Sequence, residues 1–409
     1  MTGESAVAAV VDGPLLARVR ERLAGSAGVP APAAVAAAVR AEAQGVIGDA
    51  DMLQALRELE TELVGGGPLA PLLAAPDVSD VLVNAPGEVW VDRGGGLQRT
   101  AVRFADEAAV RRLAQRLALA AGRRLDDAQP WVDAHLEAVD GGPHMIRVHA
   151  VLSPVARHGT ALSLRVLRPA VQSLDALAAG GSIAPEALHL LRRIVGARLS
   201  FLVAGGTGCG KTTMTSALLG EVDPAQRIVC VEDAPELAPR HPHVVNLVAR
   251  PANAEGAGAI TLRDLVRQAL RMRPDRIVVG EVRGPEVLDM LAALNTGHEG
   301  GACTVHANSP REVPARIEAL AATAGDGAHA GSPGLHRQLY AAVQVVLHVR
   351  RAADGRRELA EIAVLRHGPG GCEVVPAWSG GGLREGIGRL RELLGREGTR
   401  VETGLKGGA

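Results

Sequence analysis

A glycine-rich run between residues 205 and 213 has the clearest chemical meaning in this sequence. It reads GGTGCGKTT and fits the pattern G-x-x-x-x-G-K-[ST], which binds nucleotide phosphates. Glycines let successive backbone N–H groups turn toward a phosphate, because no side chain blocks them. Lys211 is spaced to reach the β- and γ-phosphates, and the Thr212 hydroxyl to reach Mg²⁺. The predicted phosphate-binding residues are Gly206, Thr207, Gly208, Cys209, Gly210, Lys211, Thr212 and Thr213.

The sequence on either side of this run supports the same interpretation. Residues 199–204 are short and apolar, as in a buried strand, and residues 212–219 can form a helix. Strand, glycine loop and helix in this order are the context that the phosphate-binding motif requires. The alternative is a glycine-rich turn that matches by chance, which the lysine and the two threonines disfavour.

Two further apolar runs end in acidic residues. The first leads into Glu232 and Asp233, with Glu236 shortly after, and the second leads into Glu281. Because the carboxyl ends of parallel strands meet at one edge of a sheet, we expect these acids near the phosphates. A carboxylate there can orient and deprotonate a water, or hold Mg²⁺ directly or through water. For each acid, the alternative is a strand-end carboxylate that faces solvent.

Two histidines flank another short apolar run, His298 before it and His306 after it. They are too few and too dispersed to indicate a metal site. A histidine near a γ-phosphate can sense its presence by hydrogen bonding, and a purely structural histidine is the alternative.

Composition narrows the possible classes of protein. The chain has 409 residues, of which 47% are apolar and 1% aromatic, so the core must consist mainly of Ala, Val and Leu. A net charge of −1 and no long basic run give no electrostatic argument for nucleic acid. The four cysteines form no C-x-x-C pair, so they indicate neither zinc nor a disulfide framework, and a reducing cytoplasm fits. We see no signal-peptide pattern and no apolar run of about 18 residues, so any membrane role is expected to come through partners.

The pattern of elements predicts an α/β protein with several regions. Residues 1–68 are expected to be a helical N-terminal extension, with helices near 15–23 and 52–63, a break at Pro30 and Pro32, and a disordered first dozen residues. The other predicted regions are an α+β domain at 69–168, a linker at 169–183, an ATPase-type α/β domain at 184–380 and a C-terminal tail at 381–409.

Within these regions the predicted elements follow hydrophobic periodicity. In the α+β domain, strands are predicted at 78–83, 89–91, 97–104, 145–152 and 161–167, and a helix with Asp106 as its N-cap runs to Ala121. In the larger domain, strands are predicted at 199–203, 227–231, 244–248, 276–280 and 302–305, with helices at 185–196, 211–220, 261–272, 285–295 and 310–322. This alternation is typical of a parallel sheet covered on both faces. Further strands at 343–350, 358–366 and 372–377 are expected to be antiparallel, and a short helix is expected near 383–394.

These motifs, in this order, resemble those of the secretion-superfamily ATPases of type II and type IV secretion and type IV pilus systems. The closest likeness is to the tight-adherence (Tad/CpaF-like) pilus assembly ATPases. The family has a P-loop, an aspartate box, a Walker B strand and a histidine box, which read here GGTGCGKTT, VEDAPEL, IVVGEVRG and TGHEGGACTVHANSP. The resemblance covers about residues 75–367, with His149 where the family usually has Asn.

The resemblance implies a RecA-like P-loop NTPase domain, preceded by a small α+β (PAS-like) domain and the helical extension. It implies ATP as the substrate and Mg²⁺ as the metal, with Glu281 as the Walker B acid. Glu236 resembles the glutamate that activates water. Glu232 and Asp233 are implied to support it. His306 matches the more diagnostic histidine of the histidine box, with His298 beside it in that motif.

The resemblance also extends to the preceding domain. Arg147 and Arg165 match positions at which that domain supplies arginines to the nucleotide. Such an arginine neutralises charge that develops on the transferring phosphoryl group. The alternative for each is a surface arginine on a strand.

Assembly and location are implied in the same way. The family forms homohexameric rings with nucleotide between the two domains, and hydrolysis changes the angle between them. The implied partners are inner-membrane pilus or secretion platform proteins, which would hold the cytoplasmic protein at the inner face of the membrane. No direct nucleic-acid contact is expected.

The chain also departs from the family pattern. Cys209 stands where the family commonly has Ser, and a thiol in the P-loop predicts an activity that is sensitive to oxidation. The four-cysteine zinc insertion of many related ATPases is missing, which favours the Tad-like branch. Two alternatives remain: a nucleotide-dependent scaffold with negligible turnover, and a RecA-like nucleic-acid motor of the conjugation type.

Overall fold

The chain folds into two compact units, Met1–Arg168 and Pro169–Ala409. The computed structural model describes residues 18–19, 22, 32–42, 66–136, 145–168, 172–253, 256–324, 333–368 and 371–395. The predicted domain bounds within these units remain predictions. Among the described residues, no helix is both long enough and apolar enough to span a bilayer.

The first unit is built on a six-stranded antiparallel sheet. Its strands are β1 (Asp80–Ala85), β2 (Glu88–Asp92), β3 (Leu97–Arg99), β4 (Trp131–Leu136), β5 (Met145–Val151) and β6 (Ala161–Leu167). Its helices are α1 (Pro32–Glu42), α2 (Ala70–Ala74) and α3 (Glu107–Ala120). The strand order is β3-β2-β1-β6-β5-β4. Alternate strand residues such as Val81 and Val148 point to one face, where they pack with Val110 and Leu113 of α3.

Several sequence predictions for this unit are confirmed. The Asp106 carboxylate accepts a hydrogen bond from the Ala109 N–H and begins α3, and the prediction of an α+β unit holds. Helix α1 was not predicted. It begins at Pro32, which agrees with a helix boundary at this proline, because a proline is tolerated in the first turn of a helix. Pro30 lies outside the described residues. The predicted helix at 52–63, most of the one at 15–23 and the first dozen residues lie outside the described residues.

Two strand predictions needed correction. The strand predicted at 97–104 ends at Arg99, because the Thr100 hydroxyl accepts from the Val102 N–H and turns the chain away from the sheet. Strand β4 was not predicted, although its residues alternate regularly between buried and less buried positions.

The second unit contains a nine-stranded sheet with helices on both faces. Its strands are β7 (Phe201–Ala204), β8 (Ile228–Glu232), β9 (Val244–Val248), β10 (Arg276–Val282), β11 (Ala302–Val305), β12 (Val345–Arg351), β13 (Arg357–Gly368), β14 (Gly371–Ser379) and β15 (Gly382–Leu383). Its helices are α4 (Leu174–Ala179), α5 (Pro185–Gly196), α6 (Lys211–Leu219), α7 (Leu262–Ala269), α8 (Glu286–Asn295), α9 (Val313–Ala322), α10 (Pro333–Ala342) and α11 (Ile387–Gly395).

The strand order of this sheet is β15-β14-β13-β12-β7-β11-β10-β8-β9. Strands β7 to β12 are parallel, and β13 to β15 continue the sheet antiparallel. The antiparallel prediction is confirmed for β13 and β14. It is only half right for β12, which pairs antiparallel with β13 but parallel with β7. Alternate residues enter separate cores: Phe201 and Val203 pack on one face, and Leu202 and Ala204 on the other. The parallel strands therefore bring their carboxyl ends to one edge, from which the P-loop and both acidic segments leave.

Two short elements extend this unit beyond the predicted α/β alternation. Helix α4 lies inside the predicted linker and is capped by Ser173, whose hydroxyl accepts from the Ala176 N–H at 3.1 Å. Helix α11, which falls in the predicted tail, buries Leu390 completely in the same core as β7.

Candidate functional site

The glycine-rich loop joins β7 to α6 and has the backbone that its glycines permit. Gly208 and Gly210 have φ angles of +71° and +98°, in the left-handed region that side chains disfavour. A Cβ at Gly205 would lie 2.3 Å from the Val349 carbonyl oxygen, so no side chain fits there. Helix α6 begins at Lys211, directly after this loop, and its N-terminus favours an anion.

Cys209 is a buried structural residue in this loop. Its side chain is 4% exposed, and Sγ donates to the Gly206 carbonyl oxygen at 2.9 Å. Burial raises the pKa of the thiol despite the nearby Lys211 charge. Since the thiolate is the reactive form, this geometry disfavours the oxidation-sensitive activity expected at Cys209, which stays a prediction.

Lys211 connects the loop to the Walker B strand. Its Nζ donates to the carbonyl oxygens of Gly205 and Gly206, both at 3.1 Å. The same nitrogen lies 3.4 Å from Glu281 Oε1, and the lysine side chain is only 10% exposed. This partly buried ion pair brings the P-loop cation and the predicted Walker B acid together.

Glu281 is held by cations on two sides. Arg283 Nε donates to Glu281 Oε2 at 2.6 Å, and the Arg283 Nη2 also contacts that oxygen. Burial alone would raise the pKa of Glu281, but the hydrogen bond and charge of Arg283, together with Lys211, lower it overall. The Thr304 hydroxyl of β11 donates to the Gly280 carbonyl oxygen at 2.5 Å, where the pairing of β10 with β11 is irregular.

Glu236 lies beside the predicted magnesium-binding threonine. The Thr212 hydroxyl donates to Glu236 Oε2 at 3.1 Å. The segment after Glu236 is held to α6, because the Ala238 N–H donates to the Ser216 hydroxyl at 3.3 Å. A carboxylate here can accept a proton from a water bound near the phosphate that Lys211 would hold.

Glu232 ends β8 and is almost completely buried, with 2% of its surface exposed. Its Oε1 accepts from the backbone N–H groups of Glu236 at 3.1 Å and Leu237 at 2.8 Å. Its Oε2 is buried with no hydrogen-bond partner among the described residues. Burial raises the pKa of this carboxyl to about 7, with Glu236 and Asp233 adding to the effect. Asp233 itself is exposed.

The two predicted histidines lie at opposite ends of strand β11. His306 follows β11 at its carboxyl end, where the Gly205 N–H donates to the Val305 carbonyl oxygen at 3.4 Å, so it is beside the P-loop and exposed. His298 precedes β11, and its Nδ1 lies 3.1 Å from the Ala293 carbonyl oxygen. Because β11 has four residues, about 13 Å of strand separates its two ends, so His298 lies at the end that is far from the P-loop.

The two predicted arginines are neighbours on the sheet of the first unit. Arg147 of β5 and Arg165 of β6 are register partners in the antiparallel pair. Arg147 binds Asp133 through two hydrogen bonds of 2.9 and 2.5 Å, and Arg165 binds Asp80 at 2.8 Å. The Arg147 hydrogen bond lowers the pKa of Asp133. Their part in nucleotide chemistry stays a prediction.

Sequence reasoning missed three residues that shape this site. Arg283 and Thr304 hold the Walker B segment, and Glu286 binds the backbone that follows it. Arg283 belongs to the motif IVVGEVRG, so its charge could have been noticed there. Thr304 has no local signal, because its partner Gly280 is set by the packing of β11 against β10. Glu286 binds backbone amides two and three residues earlier in the chain, a contact that the sequence motif does not reveal.

The fold and the site together define a P-loop nucleotide-binding protein of the α/β class. The sequence profile of the family described as "Type II/IV secretion system protein" matches residues 62–379. The chain therefore belongs to this family of secretion ATPases.

Individual relatives agree with this assignment. A Mycobacterium tuberculosis protein named "Putative conjugal transfer protein" is 64% identical over 350 residues, which are 85% of this chain and 98% of the relative. The type IV secretion system protein VirB11 of Brucella suis is 31% identical over 323 residues, 72% of this chain and 88% of the relative. The crystal structure of the pilus retraction motor PilT with bound ADP shares the fold, with a TM-score of 0.50 and 18% identity over 83% of this chain and 89% of that one.

Proposed function

We propose that this protein is an ATP-hydrolysing motor that powers assembly of a Tad or type IV-like pilus, or type II/IV secretion. The observation that carries the proposal is the contact set at one sheet edge. Thr212 of the P-loop bonds to Glu236, and Lys211 of the same loop pairs with Glu281. A phosphate cradle with one acid on β10 and another in the segment after β8 suits phosphoryl transfer to water.

The proposed roles follow from chemistry and position. Lys211 and the loop amides bind the phosphates of ATP, and Glu236 orients the attacking water and accepts its proton. Thr212 and Glu281 offer the hydroxyl and carboxylate oxygens that Mg²⁺ prefers, so this donor set fits the metal, with Glu281 acting directly or through water. When bound, Mg²⁺ neutralises charge on the β- and γ-phosphates.

Supporting residues have secondary roles in this proposal. Glu232 holds the segment that carries Glu236, and the exposed Asp233 adds negative charge beside it. His306 is suited to sense the γ-phosphate by hydrogen bonding, since it follows the carbonyl that binds the first residue of the P-loop. Arg147 and Arg165 are proposed to complete the site by stabilising charge on the transferring phosphoryl group.

The assembly is proposed by family resemblance. We infer a homohexameric ring in which residues 69–168 and 184–380 form the two domains that nucleotide brings together. The ring would work in the cytoplasm, at the inner face of the membrane, on pilus or secretion platform proteins. Native mass spectrometry with and without ATP tests this inference, and a protein that stays monomeric with nucleotide contradicts it.

Phosphate release from Mg·ATP tests the proposed activity. Wild type should release phosphate, and Lys211→Ala should abolish release and weaken ATP binding, because the loop loses its cation. Glu221→Gln is the matched control: Glu221 is 26% exposed, pairs with Arg192 at 3.1 Å and follows the other end of α6. Wild type that binds ATP with negligible turnover would instead support a nucleotide-dependent scaffold.

A conjugation-type nucleic-acid motor is a second candidate, favoured by the name of the 64% identical relative. Its test is the same phosphate-release assay with added single- or double-stranded DNA. Stimulation of the rate by roughly tenfold or more would favour the DNA motor. An unchanged rate supports the pilus or secretion motor.

A further inference from the structure

Glu286 is a buried carboxylate whose hydrogen bonds point back toward the Walker B acid. We propose that Glu286 is a positioning residue for the catalytic site: it fixes the backbone of Arg283 and Gly284, and thereby holds the Arg283 guanidinium on Glu281. The proposal rests on the proposed function, because it concerns the same site.

The geometry of Glu286 is specific. It is the first residue of α8 and is 7% exposed. Its Oε1 accepts from the Arg283 N–H at 2.6 Å and from the Gly284 N–H at 2.8 Å. One carboxylate oxygen thus satisfies two consecutive backbone donors, and both hydrogen bonds are partly buried. The helix N-terminus also favours the negative charge.

These two hydrogen bonds fix the backbone position from which the Arg283 side chain extends. Strand β10 ends at Val282, so the sheet no longer fixes the backbone at Arg283. On the other side of Glu281, the Thr304 hydroxyl binds the Gly280 carbonyl oxygen. The segment 280–284 is therefore fixed at both ends by side chains from other elements, and Glu281 lies between them.

The second acidic segment uses the same arrangement. Oε1 of the buried Glu232 accepts from two consecutive N–H groups, those of Glu236 and Leu237, and Glu236 contacts Thr212. Glu236 therefore lies in a turn whose amides bind one oxygen of the buried Glu232. Glu281 lies beside a turn whose amides bind one oxygen of the buried Glu286. The repetition in two separate loops supports a positioning role for Glu286.

Asp289 offers a matched control on the same helix. It lies one turn after Glu286, its side chain is 13% exposed, and it accepts from Arg263 Nε at 2.7 Å and Arg267 Nε at 3.0 Å. Both arginines belong to α7, and these two ion pairs include no residue of the segment 280–284. Asp289→Asn therefore disturbs a partly buried carboxylate of α8 without removing the Walker B contacts.

Hydrogen–deuterium exchange without nucleotide tests the proposed contact directly. In Glu286→Ala, amides of the segment 281–286 should exchange faster by on the order of tenfold, because two donors lose their acceptor. Glu286→Gln keeps an acceptor oxygen and should retain the protection, and Asp289→Asn should match wild type in this segment. If Glu286→Ala does not fold, Glu286→Asp, one methylene shorter, replaces it. Unchanged exchange in the folded Ala or Asp variant overturns the proposal.

Steady-state kinetics tests the consequence for the reaction. Glu286→Ala should lower kcat by roughly 10- to 100-fold and raise the Mg²⁺ concentration for half-maximal activity, as loss of an outer-shell partner does. Nucleotide affinity measured without Mg²⁺ should stay within about threefold, and Glu286→Gln should recover most of kcat. Equal kcat in Glu286→Ala and Asp289→Asn contradicts the proposal. If the wild type shows no ATP turnover, that result contradicts the proposed function. The hydrogen–deuterium exchange experiment then still tests the positioning role of Glu286.

Discussion

The two sheets of this protein present their charged residues in opposite ways. In the unit with the nine-stranded sheet, Lys211 begins α6, Glu236 follows β8 and Glu281 lies near the end of β10, and the three meet at the carboxyl edge of parallel strands. In the six-stranded sheet, Arg147 and Arg165 lie side by side on neighbouring antiparallel strands. Parallel strands gather side chains from distant parts of the sequence, whereas an antiparallel pair displays them in a row on one face.

Burial separates the two sets further. Lys211 is 10% exposed and Glu281 is 21% exposed, whereas the side chains of Arg147 and Arg165 are 38% and 50% exposed. Exposed ion pairs contribute little to stability, because water and salt screen them. The charges of the second unit are therefore expected to control binding and turnover strongly, and those of the first unit to act more weakly.

Replacing Glu281 should produce the largest effect. Glu281→Gln removes the acid that Lys211 and Arg283 share, so we expect kcat to fall by about 100- to 1,000-fold. The measurement is phosphate release at saturating Mg·ATP. Glu221→Gln, with similar exposure and its own arginine partner, should stay near wild type. A loss below about tenfold in Glu281→Gln would remove Glu281 from the catalytic set.

Glu232 should make stability depend on pH. Burial raises its pKa from the ordinary 4.5 to about 7, so the folded state binds this proton more tightly than the unfolded state. The resulting stabilisation is complete below pH 4.5 and is lost as pH rises through 7. Relative to wild type, Glu232→Gln should therefore gain about 2 to 3 kcal/mol between about pH 5 and about pH 8.

Urea unfolding of both proteins at these two pH values measures this gain. Asp233→Asn is the control, because Asp233 is the exposed neighbour of Glu232. A stability difference between Glu232→Gln and wild type that does not change with pH would show that Glu232 is ionised in the folded protein.

The arginines of the first unit should have smaller effects, confined to turnover. Arg147→Ala and Arg165→Ala should each lower kcat by roughly tenfold while ATP affinity stays within about threefold, because they are expected to act on charge developed in the transition state. Arg99→Ala on strand β3 is the control, since Arg99 is similarly exposed at 49%. Equal losses of binding and turnover would contradict a catalytic role.

Cys209 should show the smallest effect. Its thiol is buried and donates a hydrogen bond to the Gly206 carbonyl oxygen, and burial raises the pKa of the thiol. Native protein should therefore resist alkylation at this position. Cys209→Ser should keep kcat within about twofold. Mass spectrometry of the alkylated peptide gives the reactivity, with urea-unfolded protein as the positive control. Rapid native labelling with loss of activity would restore the oxidation-sensitive interpretation.

Sequence patterns predicted the elements that are apolar and sharply bounded. Strand β11 and helix α5 match the predicted ranges 302–305 and 185–196 residue for residue. Strand β4 was missed because its inward residues include the small Ala134 and its outward ones include the apolar Trp131, which weakens the alternation signal. The ends of strands and helices depended on local hydrogen bonds, such as the one that the Thr100 hydroxyl accepts from the Val102 N–H at the end of β3.

The candidate site was predictable where a motif fixes the chemistry. The P-loop residues, Glu236 and Glu281 were identified by motif, and the contacts of Thr212 and Lys211 agree with that grouping. His298 was grouped with His306 because both belong to the histidine-box motif, although only His306 follows the carboxyl end of β11, which faces the P-loop. Glu286 was missed because its role depends on a carboxylate oxygen reaching two amides earlier in the chain.

The central claim is that Glu236 activates water beside the P-loop. The direct test is single-turnover phosphate release by wild type and Glu236→Gln, with ATP affinity measured in parallel. The account predicts that Glu236→Gln binds ATP within about threefold of wild type and releases phosphate at least about 100-fold more slowly. Equal rates of phosphate release, or a loss of ATP binding that explains the slower rate, would contradict it.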